Sequence, residues 1–182
     1  TFSKLIIVQH QYASTTPKTQ RMLAAAREYV KLGVNVVFVV STEDSKFDDI
    51  DGVRFIRIEE HKNNILNCYK NFVIAIKREY NEHSAILFYE IPLYAGLFSK
   101  VNYRVFAEVT EIPFYGNNLS FVKKIILRIR LRAARNFSGL FVISKALKEY
   151  YSAQRVKNIE VVNMFVDASR FDLPKTNTSE KY

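Results

Sequence analysis

The 182 residues predict an α/β domain built on a doubly wound, mostly parallel sheet of six or seven strands. Three observations lead there. Short, nearly unbroken apolar runs recur along the chain, as expected of strands covered on both faces. Between them, apolar residues return at three- and four-residue steps, the period of a helix with one buried face. Strand and helix alternate from the start, the grammar of right-handed crossovers onto a parallel sheet. The expected architecture is Rossmann-like.

Lys4-Leu-Ile-Ile-Val-Gln9 opens the chain as a central strand. His10 to Pro17 is polar and turn-rich. From Lys18 the period turns helical, with Met22, Leu23, Ala26, Tyr29, Val30 and Leu32 on the steps and Gly33 as the stop. Asn35 to Val40 is a second buried strand. Ser41 to Gly52 is an acidic loop, and Val53 to Ile58 alternates as a strand nearer an edge does. Asn63 or Asn64 can cap the next helix, whose stripe is Ile65, Cys68, Tyr69, Phe72, Ile76 and Tyr80. Ala85 to Tyr89 is a strand, and a short helix follows from Glu90 to near Lys100. Tyr103 to Glu108 is the next strand, then a loop with Pro113 and Gly116.

Leu119 to Asn136 reads as a helix of roughly five turns, about 25 Å long. Val122, Ile125, Ile126, Ile129 and Ala133 lie along one face; Lys124, Arg128, Arg132 and Arg135 lie along another, beside Lys123 and Arg130. Leu140 to Ile143 is a strand, Ser144 caps a helix running to about Tyr151, and Ile159 to Val162 is the last strand. After Asp172 the sequence is polar and aperiodic. Residues 1–172 are expected to form one domain and 173–182 a linker or disordered tail. The chain begins with Thr rather than Met, so residues are expected ahead of it.

Composition narrows the function classes. The single cysteine, Cys68, cannot close an internal disulfide and reads as a small core hydrophobe; a reducing compartment suits it. His10, His61 and His83 are scattered, so no metal-ligand cluster is visible, and no apolar run approaches the roughly 20 residues that span a bilayer. No secretory signal pattern is present. A net charge of +9 points to anionic partners: phosphorylated ligands, nucleic acid or an acidic membrane surface.

The closing segment, Phe141-Val-Ile-Ser-Lys-Ala-Leu-Lys-Glu-Tyr-Tyr151 followed by a strand and Asn163-Met-Phe-Val-Asp-Ala-Ser-Arg-Phe171, resembles the end of the N-terminal domain of family 4 retaining glycosyltransferases. There a strand ending in Val-Ser leads through a helix and a strand to Asn-Gly-Val-Asp-x-x-x-Phe, and Asn163, Val166, Asp167 and Phe171 hold the matching positions. The Leu5–Val8 strand, the following helix and Gly33-Val-Asn-Val-Val-Phe-Val resemble the family's start. The resemblance implies one half of a GT-B architecture: two Rossmann-like domains with the active site between them. It implies that this half binds a glycan or lipid-linked acceptor. A second domain, bearing a Glu-x7-Glu pattern, would hold the nucleotide-sugar donor, so this half alone is not expected to transfer sugar. No cofactor is implied. The setting implied is cell envelope polysaccharide biosynthesis in the cytoplasm, at the inner face of the membrane. Two positions depart from the family. Tyr12-Ala-Ser-Thr-Thr-Pro-Lys18 lacks the usual Gly-Gly turn, and Glu108-Val-Thr-Glu-Ile-Pro113 lacks a frequent His.

Site candidates follow from position. Glu108 and Glu111, at a strand end and the loop after it, can orient an acceptor hydroxyl or act as a base, or serve as ordinary loop carboxylates. His10 ends the first strand on the same rim and can bind a sugar hydroxyl or be structural. Gln11, Thr15, Thr16, Lys18 and Thr19 can contact phosphate, though capping accounts for Thr15 or Thr16 equally well. Ser144 is a cap on the rim, Lys145 adds charge beside it, and Asn163 is a hinge or cleft residue under the resemblance. On the basic helix, Lys123, Lys124, Arg128 and Arg132 either form a solvated face or dock on anionic lipid, each worth about 1 kcal/mol at an acidic surface. Few interleaved aromatics and no nucleic-acid module argue against nucleic acid. A non-catalytic Rossmann-like module for a nucleotide or phosphorylated ligand, or a basic peripheral membrane protein, is the alternative to the enzyme.

Overall fold

The computed structural model describes residues 2–13, 16–42, 50–59, 64–99, 103–113 and 120–162. In chain order the elements are β1 (Lys4–Gln9), α1 (Pro17–Lys31), β2 (Asn35–Thr42), β3 (Val53–Glu59), α2 (Ile65–Glu79), β4 (Ser84–Tyr89), a 3₁₀ turn (Leu93–Leu97), β5 (Val105–Val109), α3 (Phe121–Ala134), β6 (Gly139–Val142), α4 (Lys145–Ala153) and β7 (Ile159–Val161). The seven strands form one sheet, in the order β3-β2-β1-β4-β5-β6-β7. Every pairing is parallel. The fold is a Rossmann-like α/β sheet, with β3 at one edge. The tail beyond Val162 and the domain boundary expected at 172 lie outside the described residues.

Local chemistry explains where the helices begin. Thr16, Asn64, Ser120 and Ser144 each accept a hydrogen bond from the backbone N–H three residues on, at 3.4, 3.1, 3.4 and 3.2 Å. Each satisfies one of the N–H groups that a helix start leaves unpaired. Pro17 stands first in α1, where its missing N–H costs nothing. Gly33, at φ 77°, carries the chain out of α1 in the left-handed conformation that glycine takes without a Cβ penalty.

The sheet is covered unequally. On one face Met22, Leu23 and Ala26 of α1 pack on Leu5, Ile7, Phe38 and Leu87. On the other, Phe72 and Ile76 of α2, Leu131 and Ala134 of α3, and Leu147 and Tyr151 of α4 pack on Ile6, Val8, Val39, Phe88, Ala107 and Leu140. Phe38, Phe72, Phe88 and Tyr151 are wholly enclosed, each worth about 2–3 kcal/mol of apolar burial. Cys68 is buried among these groups.

The short helix expected after Glu90 is present as a 3₁₀ helix over Leu93–Leu97, its Gly96 facing Ala133 of α3. One expectation needs correction: α3 does not bury the stripe anticipated for it. Ala133 is buried and Ile126 partly so, but Val122, Ile125 and Ile129 are exposed. The core side is made by Leu127, Leu131 and Ala134. The helix has apolar residues on two sides, so its period alone is compatible with either one facing inward.

Candidate functional site

Between β1 and β4 the chain changes sides. The connection leaving β1 runs into α1 on one face, whereas the segment leaving β4 packs Ile91, Tyr94 and Phe98 into the core of the other. Adjacent strands whose connections diverge open a crevice at their carboxyl ends, the place where open α/β sheets hold ligands.

The backbone at this crevice is held away from its usual conformations. Gln11, just past β1, has φ 53°, and Glu90, just past β4, has φ 61°. Neither is glycine, and such residues cost on the order of 1–3 kcal/mol where the surroundings enforce them. Here the enforcing contacts are visible. The Gln11 N–H donates to Ser41 Oγ at 3.0 Å and the Tyr12 N–H to the Ser41 carbonyl at 2.7 Å. The Glu90 N–H donates to the Glu108 carbonyl at 2.8 Å.

Two carboxyl groups converge on this rim. Glu90 Oε1 accepts from the Thr110 N–H at 3.2 Å and the Thr110 hydroxyl at 3.1 Å, and Tyr89 Oη lies 3.2 Å from the same hydroxyl. Burial pushes the Glu90 carboxyl above its ordinary range, against the Thr110 hydrogen bonds and the charge of Arg130. Glu108 is 8% exposed and forms an ion pair with Arg21, also 8% exposed. Burial raises its carboxyl too, although Arg21 opposes the shift. The expectation that Glu108 faces the crevice is therefore corrected. Strand alternation puts it on the α1 side of β5, tied to a cation of that helix. Around the pair, Arg21 Nη1 and Nη2 and Gln9 Oε1 are buried without a hydrogen-bond partner among the described residues.

His10 is set into an aromatic nest. Its Nε2 and the Tyr94 hydroxyl share a hydrogen bond of 2.7 Å, its ring centre lies 4.1 Å from that of Phe72, and Tyr69 meets it edge-on at 5.7 Å. Burial, with Arg130 adding to it, lowers its pKa to about 4, so the imidazole is neutral at pH 7. A narrow crevice is lined by Glu90, Pro113, Leu127, Arg130 and Tyr151, and Arg130 is the residue whose charge reaches from it to His10.

The other residues singled out from the sequence divide cleanly. Thr16 is committed to capping α1: its hydroxyl lies 2.9 Å from both the Ala13 carbonyl and Thr19 Oγ1. Thr19 Oγ1 in turn accepts from Gln9 Nε2 at 2.7 Å. Ser144 caps α4, and Lys145 is exposed on its first turn. Lys18 is half-buried in the first turn of α1, and Glu111 is exposed in the loop after β5. Thr15 and Asn163 lie outside the described residues. Lys123, Lys124, Arg128 and Arg132 are all exposed on α3. The structure thus brings His10 to the rim together with Glu90, Thr110, Tyr94 and Arg130, none of which the sequence reading nominated. The one available signal for Glu90 was its position directly after an apolar strand. Among the described residues no group of three or more His, Cys, Asp or Glu side chains is arranged to hold a metal ion, and no helix is long and apolar enough to cross a membrane.

The sequence matches no protein-family model and no curated protein. Its structure matches a UDP-glycosyltransferase of the plant Glycyrrhiza uralensis, a GT-B protein crystallised with glycyrrhetinic acid 3-O-monoglucuronide. The TM-score is 0.54 at 8% identity, over 90% of this chain and 49% of that one. At that identity the likeness is one of fold. The chain spans about half the length of this neighbour.

Proposed function

We propose that this chain is the acceptor-binding half of a glycosyltransferase, family 4-like and retaining, with residues 1–172 as the domain. The sugar would come from a nucleotide-sugar donor held mainly by a second domain. The observation that carries the reading is a Rossmann-like sheet, matched to half of a GT-B protein, whose switch-point rim gathers hydroxyl-binding groups. The ordered motif resemblance, ending in Asn163 to Phe171, supports it independently.

At this rim the neutral His10, the Tyr94 hydroxyl and the Glu90 carboxyl offer donors and acceptors suited to sugar hydroxyls. Glu90, desolvated and held by Thr110, is the carboxyl best placed to orient the reacting hydroxyl or take its proton. Glu111, exposed one residue beyond Thr110, is a second carboxylate on the acceptor's path. The buried Arg21–Glu108 pair holds the first turns of α1 against β5 and positions the rim. Lys18 stands at the start of α1, where the helix N-terminus favours anions, and supplies charge toward the leaving nucleotide diphosphate.

Ligand-observed NMR of the 182-residue chain against an oligosaccharide panel, with UDP- and GDP-sugars alongside, tests the reading. Acceptor glycans are expected to bind in the millimolar range or better, and the nucleotide sugars about tenfold or more weakly. Tight nucleotide binding with no glycan binding would instead identify a non-catalytic nucleotide module.

A further inference from the structure

Tyr151, in the last turn of α4, is wholly enclosed, yet its hydroxyl has no hydrogen-bond partner among the described residues. Its ring belongs to the core, with Leu131, Leu140 and Leu147. Phenylalanine would serve that packing equally well. A hydroxyl withdrawn from water and left unmet costs free energy, so buried ones find partners. Packing therefore accounts for the ring and not for the oxygen. The side chain lines the narrow crevice of the carboxyl rim, and the charges of Glu90 and Arg130 both act on its hydroxyl.

Three parts of the chain meet there. The exit of β4 supplies Glu90, α3 supplies Arg130 and α4 supplies Tyr151. Ile91, Leu127 and Leu131 make the remaining wall apolar. The space takes about one water-sized group, so it fits a single oxygen-bearing group and not a sugar ring. Glu90 commits Oε1 to the N–H and hydroxyl of Thr110, and its second oxygen remains to meet a ligand. Polarity then selects the group. Arg130 only donates, the Glu90 carboxylate only accepts, and Tyr151 does either. A phosphate or carboxylate would face Glu90 with like charge, and an ammonium would face Arg130. A hydroxyl accepts from Arg130 or Tyr151 and donates to Glu90 without burying a further charge.

We propose that Tyr151 is a specificity-determining residue: with Glu90 and Arg130 it forms a pocket for one hydroxyl of the acceptor glycan. That the hydroxyl belongs to an acceptor rests on the glycosyltransferase reading; the single-oxygen pocket does not. A recess of this size admits a hydroxyl and rejects an O-methyl or N-acetyl group in its place. It also disfavours a deoxy sugar, which would leave the buried polar groups unmet. The crevice thus sorts acceptors by what stands at one ring position, while the rest of the sugar lies against the open rim.

Tyr151→Phe removes that oxygen and leaves the ring. With no hydrogen bond of the fold to lose, the variant should keep or raise the wild-type melting temperature. A fall of more than about 4 °C would make the hydroxyl part of the fold's own bonding and overturn the proposal. A crystal structure of the 182-residue chain, before and after a glycerol soak, reads the pocket without sugar chemistry. One ordered oxygen is expected within hydrogen-bond distance of Tyr151 Oη and Glu90, a water before the soak and a glycerol hydroxyl after it. A pocket filled by the chain's own atoms, one without an ordered oxygen, or a water that glycerol does not displace overturns the proposal. Ligand-observed NMR against the oligosaccharide panel then finds the owner of the hydroxyl. Glycans that bind wild type should bind Tyr151→Phe about tenfold more weakly. The monodeoxy analogue at the anchored position should bind both proteins alike, because the partner of the missing oxygen is gone. Equal binding of the parent glycans to both proteins overturns the assignment. A preference for uronic acids that Tyr151→Phe abolishes would assign the pocket to a carboxylate instead. Absence of glycan binding to wild type would defeat the acceptor reading, and the crystal structure would still decide the pocket.

Discussion

At the amino-terminal rim of the sheet, Glu79 closes α2 and collects its neighbours' charge. Lys4 Nζ donates both to its carboxylate and to its backbone carbonyl at 2.7 Å, and Arg54 pairs with the same carboxylate oxygen. Burial would raise the Glu79 carboxyl, but the hydrogen bonds and charges of Lys4 and Arg54 outweigh it and leave the group below its ordinary 4.5. At the carboxyl rim the balance is reversed. Glu90 and Glu108 are both raised by burial, Arg21 and Gln9 keep buried atoms without partners, and two non-glycine residues are left-handed. One rim uses its charges to complete the helix–sheet joint. The other leaves polar atoms of Arg21 and Gln9 without partners among the described residues, buried on the α1 side of the sheet. Departures from internal consistency cluster at functional sites. Here the unpaired buried atoms of Arg21 and Gln9 lie at one end of the sheet. Left-handed non-glycine residues stand at both, Gln11 and Glu90 at this end and Arg155 and Asn158 ahead of β7 at the other.

The contrast is broken most severely at Arg21. Arg21→Met strands the Glu108 carboxylate in the interior and should cost about 3–5 kcal/mol in urea unfolding. Arg21→Met with Glu108→Leu should recover most of that loss, because an apolar pair carries no desolvation penalty. A loss under about 1 kcal/mol in the single variant would mean the pair is solvated.

Next comes the pH dependence, which separates the rims by window. The unfolded His10 takes up a proton near 6.5, whereas the folded one does so only near 4. Its contribution is present above 6.5 and is lost as pH falls toward 4. His10→Gln should flatten stability over that interval. Glu79, with a lowered folded pKa, contributes above 4.5 and loses its contribution only as pH falls below that value. For Glu90 and Glu108 the sign is opposite. Their folded pKa values lie above 4.5, so their contribution is present at low pH and is lost as pH rises through the folded values.

Smaller effects sharpen the amino-terminal side. Lys4→Met should cost about 1 kcal/mol, because Arg54 still pairs with Glu79. Arg54→Ala should cost less than about 0.5 kcal/mol, since its side chain is 57% exposed. Chemical denaturation of both variants at neutral pH checks the order.

Much of the carboxyl rim's scaffold was legible in the sequence. The apolar runs, the caps at Asn64 and Ser144, and the edge position of β3 depend on short-range spacing. The chemistry of the rim depended on sequence-distant partners. Arg21 reads as one more polar residue on a helix until the strand order sets β5 two strands from β1, within reach of its side chain, and pairs it with Glu108. Glu90 carries no glycine or asparagine signal for its left-handed backbone; the ladder to Glu108 imposes it. The same limit applies to α3, whose outward and inward sides are both apolar enough to be buried, so that the choice was made by the 3₁₀ turn it packs on.

The central claim is that the carboxyl rim, through Glu90, does the work and that the amino-terminal rim only holds the fold. The most direct measurement is sugar transfer from UDP- and GDP-sugar donors by the protein at its full natural length, comparing Glu90→Gln with Glu79→Gln. Glu90→Gln should lower kcat by at least about 100-fold while stability at neutral pH holds or rises. Glu79→Gln should lose stability and keep its rate once folded. Unimpaired transfer by Glu90→Gln, or a rate loss confined to Glu79→Gln, contradicts the account.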